Sequence, residues 1–303
     1  MSQRRSHPPS LIRRAEREIA DEGLIVRGMR VLVAVSGGPD SMALMHVLSV
    51  LRAKVGFALV AHTVNHGLRV EAEEEVALVK EHAGVLGVPL GVSRLSVEPG
   101  GNLQARARDA RLAALREAAG ACGAERIALG HHADDRAETV LQRMLRGAGP
   151  VGLAVLSSRA GELIRPLIRA RRSDVMAHVR RHSIPYVKDP SNEDTRFTRA
   201  RVRAELLPMM ESLSPRVVEH LCNLADDLGA LSLPRAEAGR AHLRELGRAA
   251  LVERGGVRVS MPGGKVAKVD LETRRIVIET AEDVKGTRHP TECSVGASHL
   301  EEQ

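Results

Sequence analysis

The chain is almost devoid of aromatic side chains. Among 303 residues there is no Trp, one Tyr and two Phe, although hydrophobic residues make up 43% of the sequence. The interior must therefore be built from Ala, Val, Leu and Ile. Recognition of nucleic-acid bases by stacking on aromatic platforms, which relies on Phe, Tyr and Trp, is nearly excluded.

Cysteine is also scarce, since Cys122, Cys222 and Cys293 stand at least 70 residues apart. Without a Cys-x-x-Cys pair the sequence offers neither a zinc ribbon nor a redox motif. No apolar run reaches the ~18–20 residues of a membrane span, and the basic start lacks the apolar stretch of a signal peptide. We therefore expect a cytoplasmic protein that makes no contact with a membrane.

Positive charge is in excess, with a formal net charge of +7. Most of the excess lies in residues 165–216, where twelve Lys or Arg stand against six Asp or Glu. Lys and Arg displace counterions from phosphates, so a tRNA-binding or RNA-binding surface is one interpretation of this segment. A solvated, arginine-rich helix face is the other.

The order of apolar and polar runs predicts an α/β fold. The chain is longer than a typical domain of ~100–200 residues, so a main domain and a smaller appendage are expected. The predicted strands are residues 30–35, 57–62, 88–94, 126–130 and 163–165, and the predicted helices are 42–51, 71–86, 103–119, 134–145 and 173–182. This βαβ alternation predicts a parallel sheet with helices on both faces.

We predict five segments along the chain. They are an N-terminal helical segment at 1–28, an ATP-binding catalytic domain at 29–214, a helical linker at 215–233, an accessory module at 234–285 and a disordered tail at 286–303. The accessory module contains two β-rich stretches, 256–260 and 265–278.

A glycine turn follows the first predicted strand. Residues 31–35 read as a buried strand and run into Ser36-Gly37-Gly38-Pro39-Asp40-Ser41, after which a helical run begins. Two glycines let the backbone approach an anion, and the new helix directs unpaired N–H groups at it. The hexapeptide predicts a pyrophosphate cradle, with a purely structural Gly-Gly turn as the alternative. Asp40 would repel phosphates unless Mg²⁺ or an ammonium group intervened.

The hexapeptide resembles the Ser-Gly-Gly-x-Asp-Ser signature of the PP-loop ATP pyrophosphatases, which split ATP into AMP and pyrophosphate. Four further motifs accompany it: His62-Thr63-Val64-Asn65-His66-Gly67-Leu68-Arg69, Gly130-His131-His132-Ala133-Asp134-Asp135-Arg136-Ala137-Glu138-Thr139, residues 143–152, and Asp189-Pro190-Ser191-Asn192-Glu193-Asp194. Together these motifs closely resemble the tRNA(Ile)-lysidine synthases. The resemblance runs from Met29 to Pro208 and is loose beyond Pro234.

The resemblance implies a PP-loop fold, similar to the adenine nucleotide alpha-hydrolases, and a two-step reaction. Members of the family adenylate the C2 oxygen of the wobble cytidine in the CAU-anticodon isoleucine tRNA, and the lysine ε-amine then displaces AMP to give lysidine. It further implies ATP with Mg²⁺, L-lysine and that tRNA as partners. The oligomeric state stays open, with a homodimer as one alternative.

This chemistry makes its own demand on the site. A lysine side chain has a pKa near 10.4, so its neutral amine at pH 7 costs roughly 4–5 kcal/mol unless the site helps. Asp135 and Glu138 are three residues apart at the start of a predicted helix and therefore share a face. They are predicted to hold the ammonium group and accept its proton, with Asp40 approaching from the neighbouring loop.

By resemblance, Arg111 completes the catalytic set by stabilising charge on the adenylate or on the lysine carboxylate. Arg106 and Arg108 stay open as alternatives, and an exposed helix face is the plain interpretation of all three. The predicted cofactor-binding residues are Ser36, Gly37, Gly38, Pro39, Asp40, Ser41, His62 and His132, and the predicted tRNA-binding residues are Arg165, Arg199, Arg201 and Arg203. The chain departs from the family at Ala200, where Asn is usual, so a local amide contact is missing.

Several other interpretations stay open. The histidines and carboxylates of residues 131–138 also fit a metal site or a capped helix start, although we predict no metal-ligand set. A PP-loop tRNA thiolase would need catalytic or cluster-binding cysteines, a nucleotide-sensing module would need the loop alone, and a small-molecule ligase would turn over without RNA.

With so few aromatics, we expect tRNA to be distinguished by shape and backbone charge, through the segment after Leu163 and the accessory module.

Overall fold

The computed structural model describes residues 10–65, 71–95, 103–187, 198–230, 258–261, 265–270 and 275–280. The chain separates into two compact units, residues 1–230 and 231–303. The predicted boundaries at 28, 214, 233 and 285 stay predictions. The expected tail at 286–303, the motif at 189–194 and the second half of the motif at 62–69 lie outside the described residues.

A six-stranded sheet forms the centre of the first unit. Its strands are β1 (Arg30–Ala34), β2 (Ala58–Asn65), β3 (Leu90–Arg94), β4 (Arg126–Ala128), β5 (Arg159–Ala160) and β6 (Leu163–Ile164). Their order is β3-β2-β1-β4-β6-β5, and all pairs are parallel except β5 with β6. The order reverses direction between β1 and β4, and ligands bind at such a switch point in doubly wound sheets. The predicted α/β class is confirmed.

Helices pack on both faces of the sheet because the side chains of β1 alternate. Val31 and Val33 join a core with α1, α2, α3 and α7, whereas Leu32 points to the other face and packs against α4. The helices of the first unit are α1 (Leu11–Asp21), α2 (Pro39–Val55), α3 (Glu71–Val85), α4 (Leu103–Cys122), α5 (Ala133–Leu145), α6 (Pro150–Leu153), α7 (Arg172–Arg181), α8 (Thr198–Arg201), α9 (Leu207–Leu213) and α10 (Val217–Ala230).

Helix α2 begins earlier than its apolar pattern predicts. Gly38 is the residue before the first turn, and Pro39 is the first residue of the helix. At this position the N–H that proline lacks would have no partner within the helix. The helix ends at Gly56, which adopts the left-handed conformation with φ of 85°. The hexapeptide therefore supplies both the loop and the first helical turn.

A π-helical turn, Val202–Leu206, joins α8 to α9. The N–H of Leu207 donates to the carbonyl of Val202, five residues earlier. Pro208 follows and has no N–H for the next helical bond, while its ring crowds the carbonyl four residues before it. This wide turn interrupts the regular α-helical hydrogen bonding between α8 and α9, and Ser214, in an extended conformation, ends α9 before α10 begins.

The second unit contains three antiparallel strands in the order β7-β8-β9. They are β7 (Arg258–Met261), β8 (Lys265–Asp270) and β9 (Arg275–Thr280). The β-rich stretch expected at 265–278 is therefore two strands, which pair with each other.

Candidate active site

The loop between β1 and α2 is braced by its own side chains. Gly37 has a φ of 80°, a conformation that favours glycine. The Ser41 hydroxyl accepts a hydrogen bond from the Ser36 N–H at 3.1 Å and donates to the Gly38 carbonyl at 3.0 Å. The loop thus holds a defined shape at the start of a helix, where backbone N–H groups lack partners within the helix.

The β4–α5 connection lies directly against this loop. A Cβ atom on Gly130 would come within 3.1 Å of the backbone carbon and oxygen of Asp40 and of the Ser41 nitrogen. Any side chain at this position would push the two loops apart, because all three atoms belong to the backbone. Gly130 therefore brings the start of α5 to the phosphate loop.

His132 is completely buried and caps α5. Its backbone N–H donates to Asp135 Oδ2 at 3.1 Å, and its Nδ1 accepts from the Asp135 N–H at 3.3 Å. Because Nδ1 accepts this bond, the ring nitrogen left to act as a donor is Nε2. That Nε2 is 3.6 Å from Asp40 Oδ1. Both atoms are buried and neither has a hydrogen-bond partner.

Asp40 is a largely buried carboxyl with one oxygen free. Burial raises its pKa, an effect that His132 opposes and Asp135 reinforces. A buried carboxylate without a partner is costly, and a cation beside it would remove that cost. The site therefore fits either Mg²⁺ or an ammonium group at Asp40.

Two arginines hold the carboxylates of α5. Asp135 Oδ1 accepts from Arg199 Nη2 at 2.9 Å and from Arg203 Nη2 at 3.4 Å. Glu138 Oε2 accepts from Arg199 Nε and from Arg203 Nη2, each at 3.0 Å, and Glu138 Oε1 accepts from Arg203 Nε. The Glu138 side chain is only 1% exposed. The predicted catalytic pair is thus brought together and lies under two of the residues predicted to bind tRNA.

These contacts set the protonation state of Asp135. Burial works to raise its pKa, but His132, His131 and Arg199 outweigh burial and hold the pKa below its usual 3.8. Asp135 is therefore ionised, and it is a weaker proton acceptor than Asp40. The two carboxyls are close in space but opposite in the direction of their pKa shifts.

A second group of side chains contains three arginines for which the described part of the chain shows no ion pair with a carboxylate. Leu115 of α4 packs against Leu129 and Leu163, and a crossover helix runs antiparallel to its strands. Arg111 and Arg108 therefore lie one and two turns towards the carboxyl ends of β4 and β6. His131 and Arg165 follow those two strands, and the charges of all three arginines bear on His131.

This cluster, defined as Arg108, Arg111, His131 and Arg165, is uncompensated within the described part of the chain. Arg165 is 5% exposed, and burial lowers its pKa to about 10. Burial also lowers the pKa of Arg111, and that of His131 to about 3. The unpartnered buried atoms here are Arg111 Nε, Arg165 Nε and His131 Nδ1. Arg165 Nη1 donates to the Ser157 carbonyl at 2.7 Å, so the Nε atoms of Arg111 and Arg165 are the buried guanidinium atoms left for an anionic ligand.

Two other predicted residues lie apart from these groups. The ring of His62 covers Gly91, where a Cβ would come within 2.5 Å of Nδ1, and His62 Nε2 is 2.8 Å from the Ser93 hydroxyl. Burial lowers the pKa of His62. Arg201 pairs with Glu205 at the exposed surface, at 3.1 Å.

Sequence reasoning did not identify Arg171 as part of the site. Its Nη2 donates to Asp134 Oδ1 at 2.9 Å, and the same atom donates to Glu211 of α9. The Arg172 N–H donates to Asp134 Oδ2 at 2.7 Å. Arg171 thus ties the start of α5 to the helix that follows Arg199 and Arg203. It stands in an arginine run with no local motif, and no pattern in the sequence predicts this contact.

Within the residues that the structure describes, no group of three or more His, Cys, Asp or Glu side chains is arranged to hold a metal ion. Over the same residues, no helix combines the length and the apolar character needed to span a membrane.

A family comparison identifies a PP-loop domain over residues 10–210. The chain is 37% identical to a tRNA(Ile)-lysidine synthase of Bradyrhizobium over 313 residues, covering 99% of this chain and 85% of that protein. It is also 37% identical to a tRNA(Ile)-lysidine synthase of Symbiobacterium thermophilum, covering 92% of this chain and 60% of that protein. The chain spans 50% of the Thermotoga maritima relative, so several curated relatives are considerably longer.

Among solved structures, the chain is similar to the U34-tRNA thiolase NcsA from Methanococcus maripaludis. The TM-score is 0.62 at 16% sequence identity, and the match covers 75% of this chain and 87% of that one. At this identity the likeness supports the fold alone.

Proposed function

Because the chain belongs to the tRNA(Ile)-lysidine synthase family of PP-loop proteins, we propose that it attaches L-lysine to the wobble cytidine of the CAU-anticodon isoleucine tRNA. The reaction consumes ATP and yields lysidine, AMP and pyrophosphate. The observation that carries this proposal is the meeting of Asp40 in the phosphate loop with Asp135 and Glu138 of α5. Carboxylates beside an ATP site suit a cationic nucleophile such as lysine.

In the first step the loop from Ser36 to Ser41 holds the pyrophosphate portion of ATP. The C2 oxygen of the cytidine attacks the α-phosphorus, an O–P bond forms, and pyrophosphate leaves. Gly37 and Gly38 keep the backbone close to the phosphates, and the start of α2 directs N–H groups at them. Mg²⁺, held by Asp40, would neutralise phosphate charge when bound. The Nε2 of His132 lies 3.6 Å from Asp40 Oδ1, and a small approach of the two would let it hold that carboxylate in place.

In the second step the lysine amine attacks C2 and AMP leaves. The ammonium group must first lose a proton. Asp135 is held ionised by His132, His131 and Arg199, so it suits binding of the cation. Asp40, whose pKa is raised by burial, would accept the proton once Mg²⁺ has left with pyrophosphate, because a good base has a pKa closer to the working pH. Glu138 completes the cation site.

The uncompensated cluster is proposed to bind the anionic part of the reactants. Arg111, supported by Arg108 and His131, would stabilise the phosphate of the adenylate or the carboxylate of lysine. Arg165 was predicted to contact tRNA phosphates. At 5% exposure, it would meet only an anion that enters the pocket.

We propose that tRNA contacts come from Arg199, Arg201 and Arg203 and from the accessory module. The backbone of the RNA and its shape would guide binding.

His62 is proposed to support the nucleotide site from the neighbouring strand, since its carbonyl accepts from the Val35 N–H at 2.9 Å, directly before the phosphate loop. The reaction would take place in the cytoplasm, and a homodimer stays a prediction that sedimentation would test.

The test is incubation with labelled lysine, ATP with Mg²⁺ and total tRNA, followed by nucleoside analysis. The proposal predicts a lysine-modified cytidine that forms only when all three substrates are present. Turnover without RNA would favour a small-molecule ligase, and ATP binding without AMP production would favour a nucleotide sensor.

Sulfur transfer to the same tRNA region would instead leave a thiolated base. Cys222 is an unsuitable nucleophile for it, because burial raises the pKa of this thiol to about 11 and the thiolate is the reactive form.

A further inference from the structure

Arg199 and Arg203 occupy the groups that the lysine ammonium is proposed to use. Every carboxylate oxygen of Glu138 and one of Asp135 accepts a hydrogen bond from one or both guanidinium groups. Glu138 is only 1% exposed, so a cation reaches it only where an arginine now lies. In this arrangement the lysine site is filled by side chains of the chain itself.

The same two arginines are able to face the solvent. The side chain of Arg199 is 49% exposed and that of Arg203 is 27% exposed, so both are partly accessible to solvent. They stand four residues apart across the junction of α8 and the π-helical turn, and π-helical turns are frequent at functional sites. A nearby phosphate would compete for both guanidinium groups, because arginine binds phosphate and carboxylate with the same two-pronged geometry.

Separating the two arginines from the two carboxylates costs free energy unless each side gains a new partner of opposite charge. Removing the arginines would leave two buried carboxylates uncompensated, and breaking a buried ion pair in this way is strongly unfavourable. If an ammonium group arrived at the carboxylates while a phosphate took the arginines, charge would stay balanced on both sides. Two separate substrates of the proposed reaction supply these two charges.

We propose that Arg199 and Arg203 form an ion-pair exchange switch that couples lysine binding to tRNA binding. A tRNA phosphate draws the two arginines away from Asp135 and Glu138, and the lysine ammonium takes their place. This inference rests on the proposed function. It makes Arg199 and Arg203 positioning residues, which keep free lysine out until the acceptor RNA is bound.

Coupling between two ligands is reciprocal, which gives a test on the unmodified protein. Lysine affinity is measured by calorimetry with and without an unmodified CAU-anticodon isoleucine tRNA transcript, in the presence of a non-hydrolysable ATP analogue. The tRNA should tighten lysine binding by about 10-fold or more, within the usual range of such couplings, and lysine should tighten tRNA binding by the same factor. A ratio near one in either direction would overturn the proposal.

Variants separate the switch from direct contact between the two substrates. Arg199→Gln frees part of both carboxylates and leaves Arg203 to balance them, so lysine should bind more tightly without tRNA and the tRNA effect should shrink. Arg116→Gln removes an exposed arginine that pairs with Glu162 at 2.7 Å and belongs to none of the groups proposed to bind lysine or tRNA, so it should keep the full coupling. Full coupling in Arg199→Gln, or weaker lysine binding without tRNA, would contradict the switch.

The outcome is distinguishable from failure of the proposed function. If no lysine-modified cytidine forms, the function itself is wrong. If the product forms while lysine and tRNA bind independently, the function stands and only the switch is wrong.

Discussion

At the scale of single residues, Asp40 and Asp135 show how neighbouring carboxyls acquire different properties. Burial dominates at Asp40 and raises its pKa. At Asp135 the side chains of His132, His131 and Arg199 outweigh burial and lower the pKa. Resemblance placed both residues in one site. The groups that lower the pKa of Asp135 are His132 and His131 of its own motif and then Arg199, which is more than 60 positions away and which no local pattern reveals.

Replacement of each carboxyl by its amide should therefore affect stability in opposite directions. The folded-state pKa of Asp40 lies above the unfolded value, so its ionised form costs folding free energy at neutral pH. Asp40→Asn should raise the melting temperature while lowering lysine incorporation by at least about 100-fold, the usual scale for a lost acid–base group.

Asp135→Asn should also abolish incorporation, but it should lower the stability by about 3 kcal/mol, the scale of a broken buried ion pair. Thermal unfolding and the labelled-lysine assay check both variants. Destabilisation by Asp40→Asn, or full activity of either variant, would contradict the site assignment.

At the scale of secondary-structure elements, the sequence predicted most of the framework. The apolar patterns, and the glycines that lie between them, predicted the strands β1 to β4 and the helices that follow them. They do so because each element buries apolar side chains in the core. The pattern did not reveal β5, whose two residues are exposed, or the π-helical turn, which depends on Pro208. Asp40, Asp135 and Glu138 follow the predicted strands at 30–35 and 126–130, and the carboxyl ends of parallel strands meet at one edge of a sheet, so their common location was predictable.

The contact between the β4–α5 connection and the phosphate loop depends on the missing side chain of Gly130. Gly130→Ala would place a Cβ 3.1 Å from backbone atoms of Asp40 and Ser41. We expect ATP affinity to fall by at least about 10-fold, since a displaced loop loses more than one hydrogen bond to phosphate.

Gly120→Ala is the matched control for this variant. Gly120 lies inside α4, and a Cβ there meets nothing within 4 Å. This change should keep ATP affinity and stabilise the protein by about 0.5–1 kcal/mol, because alanine favours helix. Equal ATP affinity in the two variants, measured by calorimetry, would show that the close approach is unimportant.

Three histidine rings join α2 to α7. His46 lies 5.0 Å from His178 and 4.7 Å from His182 between ring centroids, and Nε2 of His178 is 3.1 Å from Nδ1 of His46. Burial, together with His182, lowers the pKa of both His46 and His178 to about 4. His82 of α3 and Arg181 of α7 add to the same effect.

The protein should therefore lose stability on mild acidification. The unfolded state binds a proton near pH 6.5 and the folded state only near pH 4, so the stabilisation is complete above pH 6.5 and is lost as the pH falls towards 4. His178→Gln should flatten the dependence of melting temperature on pH across this window. His220→Gln, at an exposed position of α10, should leave it unchanged, and an unchanged profile in His178→Gln would be the contrary result.

At the scale of the whole molecule, fewer arginines are free to bind RNA than the net positive charge suggests. Many arginines of residues 165–216 are paired with carboxylates in the structure: Arg169 with Asp226, Arg171 with Asp134, Arg199 and Arg203 with Asp135 and Glu138, Arg201 with Glu205, and Arg216 with Glu219. The excess charge of this segment therefore organises the site as well as offering a surface to RNA.

The division into two units allows the catalytic and selective roles to be separated. A protein of residues 1–230 should keep ATP affinity, because the phosphate loop and α5 lie in the first unit. We expect it to lose discrimination between the isoleucine and methionine tRNAs that share the CAU anticodon. The ratio of kcat/KM for the two transcripts measures this, after thermal unfolding has shown that the shortened chain folds. An unchanged ratio would assign selectivity to the first unit.

The central claim, that ATP activates a tRNA cytidine for attack by lysine, is tested most directly by following two labels on one tRNA. ATP labelled at the α-phosphate and labelled lysine are supplied in turn with the CAU-anticodon isoleucine tRNA transcript. The account predicts that AMP becomes attached to the tRNA when lysine is absent, and that added lysine releases one AMP for each lysine bound. Release of AMP without attachment of lysine, or lysine attachment without AMP release, would contradict it.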